Sequence, residues 1–162
     1  MKKILTFLGL ATAGLAAFGQ ALPAPEIAAR EYLLVDMNAG QVLAERAADA
    51  STDPASLTKL MTAYVVFVQL KAHKLTLDQK VPVSARAVAE RKGGGPLMFI
   101  DAATAPSVDE LLQGLVVDSG NDASVALAEA VGGSVEGFVG MMNRQAQAWG
   151  LKNTVFRNVT GL

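Results

Sequence analysis

Ala55-Ser56-Leu57-Thr58-Lys59-Leu60-Met61-Thr62-Ala63-Tyr64-Val65-Val66-Phe67-Val68-Gln69-Leu70-Lys71 contains neither Gly nor Pro and is too long for an ordinary strand. Leu57, Leu60, Met61, Tyr64, Val65 and Val68 recur with the helical period, and Ala63, Val66 and Phe67 fill the opposite face. The predicted helix is therefore apolar nearly all round, the pattern of a helix running through the middle of a domain. Ser51-Thr52-Asp53-Pro54 supplies a polar start followed by a Pro. Lys71-Ala72-His73-Lys74 places cations at the negative end of the helix dipole. Ser56 and Lys59 fall in the first turn.

N-terminal to this helix, Glu31–Asp36 and Gln41–Glu45 are short apolar and β-forming runs. Met37-Asn38-Ala39-Gly40 lies between them, with Asn and Gly suited to positive φ, so the stretch reads as a β-hairpin. C-terminal to the helix, a loop region containing Pro82 and Gly93-Gly94-Gly95-Pro96 leads to Ser107 and Glu110. Those two have capping-box spacing ahead of Leu111, Leu112, Leu115 and Val116. Asp118-Ser119-Gly120-Asn121 interrupts the pattern, and Asn121 or Asp122 is a candidate cap for a helix over Ala123–Val131 that stops at Gly132-Gly133. Ser134–Trp149 reads as a further helix ended by Gly150.

The 162 residues include 51% hydrophobic and 18% charged positions, enough apolar content for one domain with a real core. Fourteen basic against fifteen acidic residues give no electrostatic footprint for nucleic acid. The absence of Cys excludes disulfides, thiol nucleophiles and Cys-based metal sites, and a single His excludes a His-rich metal site. No cofactor or metal is expected. The mean hydropathy of +0.32 is partly local. Lys2 and Lys3 precede an uncharged run from Ile4 to Phe18, and Gly19-Gln20-Ala21 supplies small residues suited to cleavage. Residues 1–21 are expected to be an export signal, leaving 22–162 as the mature part. A membrane span is the competing reading. Against it, Gln20, Pro23 and Pro25 break the uncharged run, and its apolar part is shorter than the roughly 20 residues a span needs.

Ser56-Leu57-Thr58-Lys59 is S-x-x-K, and on a helix residues i and i+3 share a face. A Ser at a helix N-terminus has free backbone N–H groups beside it that favour developing negative charge. A partly desolvated Lys one turn on loses proton affinity and becomes a base for the hydroxyl. The tetrapeptide by itself is short enough to arise by chance. Ser119-Gly120-Asn121 offers a second hydroxyl and an amide in a tight loop, able to relay a proton and to hold a substrate peptide group. The same residues also make a plain cap and turn. His73, flanked by Lys residues, reads as a solvated helix end. The Gly93-Gly94-Gly95 run lacks the Lys-Ser/Thr of a phosphate loop and reads as surface.

Pro54-Ala55-Ser56-Leu57-Thr58-Lys59-Leu60-Met61-Thr62 and Asp118-Ser119-Gly120-Asn121-Asp122-Ala123-Ser124 resemble the two signature stretches of the low-molecular-mass penicillin-binding proteins. Within that group they are most similar to the serine D-alanyl-D-alanine carboxypeptidases. Leu97-Met98-Phe99, Gly137-Phe138-Val139, Met142-Asn143 and Asn158–Leu162 extend the resemblance over the mature chain. It implies an α/β, β-lactamase/transpeptidase-like fold in which these residues form the helical part and an N-terminal hairpin. It also implies Ser56 as acylated nucleophile, Lys59 as its base, Ser119 as proton relay, and Gly120 and Asn121 as substrate-binding positions. The implied partners are peptidoglycan stem peptides ending in D-Ala-D-Ala, with β-lactams as covalent inhibitors. The implied location is the periplasm or the outer face of the cytoplasmic membrane. The family's third motif, K-T-G on a sheet strand, does not occur within these residues. The expectation is therefore an incomplete domain whose remaining sheet strands, and any C-terminal membrane anchor, are absent. Two alternatives stand beside this reading: a catalytically inert cell-wall-binding fragment, and a class A β-lactamase relative. Against the latter, Ser-Gly-Asn replaces Ser-Asp-Asn, and neither Glu129 nor Glu136 begins an E-x-x-x-N.

Overall fold

The computed structural model describes residues 26–162, so the expected export signal lies outside the described residues. The chain divides into two compact units after Ser51. In the first, β1 (Tyr32–Asp36) pairs antiparallel with β2 (Gln41–Arg46), Tyr32 opposite Arg46 and Asp36 opposite Gln41. The expected hairpin is present. Its turn is fixed by Asp36 Oδ1, which accepts the Asn38 and Ala39 N–H groups at 2.8 and 3.1 Å. Of the two residues expected to take positive φ, only Gly40 does so, at 64°.

The second unit is helical: α1 (Thr58–Lys71), α2 (Ala85–Ala89), α3 (Val108–Val117), α4 (Asn121–Gly132) and α5 (Val135–Ala148). Single 3-10 turns occur at Ala55–Leu57 and Glu90–Lys92. The Ser107–Glu110 capping box forms as expected, the Ser107 side chain accepting the Glu110 N–H and Glu110 accepting the Ser107 N–H. Ser134 caps α5, and Gly133 and Gly150 take left-handed conformations just beyond α4 and α5. Ser84, accepting the Ala87 N–H at 3.0 Å, starts α2 inside what the sequence suggested was loop. A five-residue helix is too short for its apolar period to stand out.

Among the described residues the most enclosed helix is α4. It packs against α1, α2, α3 and α5, and Asn121–Ala128 is buried without interruption. Ala123, Ser124, Ala126 and Ala128 are small enough for neighbouring helices to approach closely. On α1, Met61, Ala63, Val65 and Val66 enter the core, whereas Leu60 is 70% and Phe67 51% exposed. Among the described residues one apolar face of α1 therefore enters the core, while Leu60 and Phe67 lie on a face left uncovered. Phe138, Leu111, Leu127, Met142 and Val66 are the largest fully buried apolar side chains. Each contributes about 1.5–3 kcal/mol relative to exposure.

After α5 the chain returns to α1. Asn143 pins this return by donating to Phe156 O and accepting from Phe156 N, both at 2.8 Å. Thr62, fully buried on α1, donates to Val159 O at 2.9 Å. Residues 159–162 are thereby carried to the start of α1.

Candidate active site

Ser56 lies in the 3-10 turn that leads into α1, and Lys59 lies in the first turn of α1 itself. The continuous helix expected from residue 55 is thus tightened at its start. Ala55 has φ of 47°, an uncommon conformation for a residue with a side chain. The turn is held from behind by Gly161, whose φ is 83° and whose Cα abuts the Ala55 carbonyl oxygen closely enough to leave no room for a Cβ.

Lys59 is 3% exposed. Its Nζ donates to Ser56 Oγ at 3.2 Å and to the Thr160 carbonyl at 3.4 Å. Burial lowers the proton affinity of this amine, and the charge of Glu90 partly counteracts the effect. The arrangement is a hydroxyl and a poised amine in direct contact, the two groups needed to make a Ser nucleophilic without His.

Ser119 and Gly120 form the corner between α3 and α4. Ser119 is half-buried and left-handed, with φ of 56°. Gly120 is the N-cap of α4 and supplies no side chain, so the expected cap by Asn121 or Asp122 is replaced by a helix that begins at Asn121. Asn121 is 3% exposed, and its N–H donates to Pro96 O at 2.9 Å. Among the described residues its Oδ1, though buried, meets no hydrogen-bond partner. A buried acceptor left unpaired costs about 1–3 kcal/mol, and an incoming N–H offsets that cost.

Among the described residues no hydrogen bond joins the Ser119 or Asn121 side chain to Ser56 or Lys59. The two motifs meet instead through the last residues. Gly161 backs Ala55, next to Ser56, and Leu162 lies against Gly95, whose Cα faces the Asn121 carboxamide. Asn158 shapes this wedge, its Oδ1 accepting the Thr160 and Gly161 N–H groups at 3.1 and 2.6 Å. Sequence reasoning did not single out Glu90, Thr160 or Gly161. The signal for the last two was the Asn158–Leu162 stretch, which entered only as part of a resemblance. His73 lies past the end of α1, exposed, and is outside the cluster. Among the described residues no group of three or more His, Cys, Asp or Glu is placed to hold a metal ion.

The D-alanyl-D-alanine carboxypeptidase (peptidase S11) family model matches residues 19–162. The chain is 46% identical over 146 residues to the D-alanyl-D-alanine carboxypeptidase DacC of Escherichia coli, covering 88% of this chain and 36% of that protein. It therefore spans little more than a third of the curated relatives it matches. Penicillin-binding protein 5 from Haemophilus influenzae superposes with a TM-score of 0.83 at 43% identity, over 87% of this chain and 41% of that one. The Streptomyces K15 DD-transpeptidase superposes with a TM-score of 0.77 at 33% identity, over 86% and 55%. The helical part and two-stranded hairpin are thus those of the penicillin-binding DD-peptidase fold, and the chain belongs to the D-alanyl-D-alanine carboxypeptidase family.

Proposed function

We propose that the protein to which these residues belong is an exported serine-type carboxypeptidase that removes the terminal D-Ala from peptidoglycan stem pentapeptides through an acyl-Ser56 intermediate. The observation that supports this most directly is the 3.2 Å contact between Ser56 Oγ and the buried Lys59 Nζ. With the amine neutral, the same contact runs in reverse and the hydroxyl donates. Ser56 Oγ attacks the penultimate D-Ala carbonyl as its proton passes to Lys59 Nζ. The tetrahedral intermediate expels the terminal D-Ala amine, which receives that proton with Ser119 as relay. Water then cleaves the acyl-Ser56 ester and regenerates the hydroxyl. The Ser56 backbone N–H supplies one oxyanion donor, of a kind that contributes about 3–4 kcal/mol in other enzymes. The unpaired Asn121 Oδ1 accepts a substrate backbone N–H beside Gly120. β-Lactams acylate Ser56 in the same way. The basic start and uncharged run at residues 2–18 support delivery to the periplasm or the outer face of the cytoplasmic membrane.

Intact-protein mass of the complete polypeptide after incubation with a β-lactam tests this reading. One covalent adduct, lost in Ser56→Ala, is the expected result, with D-alanine released from a pentapeptide by the unmodified protein. No adduct, or an adduct that survives Ser56→Ala, overturns it.

A further inference from the structure

Residues 98–100 are gripped from two sides by side chains that have no part in the chemistry proposed above. Asp122, fully buried in the first turn of α4, accepts the Met98 N–H at 2.9 Å on Oδ1 and the Ile100 N–H at 3.0 Å on Oδ2. Oδ1 also accepts the N–H of Ala123 at 2.9 Å, which fixes the carboxylate to its own helix. From the other side, Arg91 Nη2 donates to the Ile100 carbonyl at 2.7 Å and to the Phe99 carbonyl at 3.3 Å. Between these grips Phe99 has φ of 62° while its side chain is 71% exposed. A bulky residue in the left-handed region is costly, and among the described residues no burial of its ring compensates. Such a conformation persists only where its surroundings over-determine it. Four backbone groups tied by one carboxylate and one guanidinium do so.

The residues just ahead of the strained segment are the backing of Asn121. Pro96 O accepts the Asn121 N–H, and Gly95 lies against the Asn121 carboxamide. Ser119 and Gly120 immediately precede the helix turn that holds Asp122, and a Cβ on Gly120 would meet Met98 N and Asp122 Oδ1 at 3.1 Å each. Movement of residues 96–100 is thus transmitted to both sides of the Ser119–Asn121 corner. We infer that Asp122 and Arg91 are positioning residues that hold the Ser119-Gly120-Asn121 corner in its reactive geometry by pinning Phe99 in a left-handed conformation. The inference rests on the acyl-serine reading and assigns the corner's geometry to a clamp with no contact to substrate.

The test is the rate of Ser56 acylation by a fluorescent penicillin in the complete polypeptide, resolved into affinity and the first-order acylation step. Asp122→Asn keeps the shape but turns one acceptor oxygen into a donor facing an N–H. It is expected to slow the acylation step at least tenfold while every folded molecule still labels at the end point. Arg91→Ala, at a partly exposed position that leaves the core intact, is expected to slow the same step three- to tenfold. It keeps the test decisive should Asp122→Asn not fold. Phe99→Gly, which takes positive φ freely, is expected to shrink the effect of Arg91→Ala to less than twofold, because no strain then remains to be held. A stability role alone would lower the melting temperature without changing the acylation step of folded protein. Acylation by Arg91→Ala within twofold of wild type, or an effect of Arg91→Ala undiminished in the Phe99→Gly background, overturns the inference. Failure of the wild-type protein to label at Ser56 instead overturns the underlying reading.

Discussion

Gly161→Ala adds one methyl group behind the turn that presents Ser56, and two separate penalties follow. At φ of 83° an L-residue with a side chain costs about 1–2 kcal/mol relative to glycine. The new Cβ would also overlap the Ala55 carbonyl and stand 2.6 Å from Thr58 Oγ1, well inside ordinary van der Waals contact. Overpacking of this kind costs about 1–3 kcal/mol. Together the two remove roughly 2–5 kcal/mol, a large fraction of a typical 5–15 kcal/mol total. The backbone must shift by roughly 1 Å for the methyl to fit, and the element free to give is the 3-10 turn, since residues 159–160 are tied to Thr62 and Asn158. A misplacement of about 1 Å at reacting groups costs on the order of 100-fold in rate.

The expected outcome in the complete polypeptide is a lowered melting temperature together with roughly 100-fold slower labelling of Ser56 by a fluorescent β-lactam in the protein that remains folded. Gly161→Asn separates the two penalties. Asn tolerates the left-handed region better than Ala but carries the same Cβ, so if overlap with Ala55 dominates, it is no better than Ala. Gly161→Ala that melts and labels like wild type would refute the wedge as the support of Ser56. Recovery in Gly161→Asn would refute overlap as the cause and leave backbone strain.

Lys59→Met keeps the length of the side chain and removes the amine proposed as base. It is expected to slow acylation by about 10²–10⁴-fold with the fold retained, read from labelling rate and circular dichroism. Stability carries a second signature of the same amine. Its folded proton affinity lies below the usual 10.5, so between the two values the unfolded chain binds more protons and stability rises with pH. Denaturant titrations across that alkaline window are expected to show this slope in the wild type and to lose it in Lys59→Met. Glu90→Gln removes the charge that raises the proton affinity of Lys59, so the acid limb of the acylation pH profile should move to lower pH. An unmoved or upward-shifted limb contradicts the coupling. Thr62→Val leaves the Val159 carbonyl without its donor and is expected to cost about 1–3 kcal/mol in urea denaturation.

The parts of the site that were legible in the sequence are those set by short separations. S-x-x-K places Ser56 and Lys59 together because three residues make one helical turn, and the capping box at Ser107 and Glu110 is legible for the same reason. The hairpin turn is fixed by Asp36 and neighbours two and three residues away. What holds the site in place is of another kind. Lys59 meets the carbonyl of Thr160 and Thr62 that of Val159, across about a hundred residues, while Asp122 reaches back to Met98 and Ile100. Their partners are backbone groups, which every residue possesses, so nothing in the partner's identity announces the pairing. Asp122 illustrates the difficulty: at the start of a predicted helix an acid reads as a cap, and Ser119-Gly120-Asn121-Asp122 contains three residue types that cap well. The fold gives the N-cap to Gly120, freeing the Asp122 carboxylate to turn backward and the Asn121 amide to keep an unpaired acceptor. The placing of α1 is hard to read for a related reason. Periodicity reports which faces of a helix are apolar, whereas which face enters a core depends on what lies against it. Here the small residues of α4 admit more neighbours than the larger ones of α1, and centrality follows side-chain size as much as hydrophobicity.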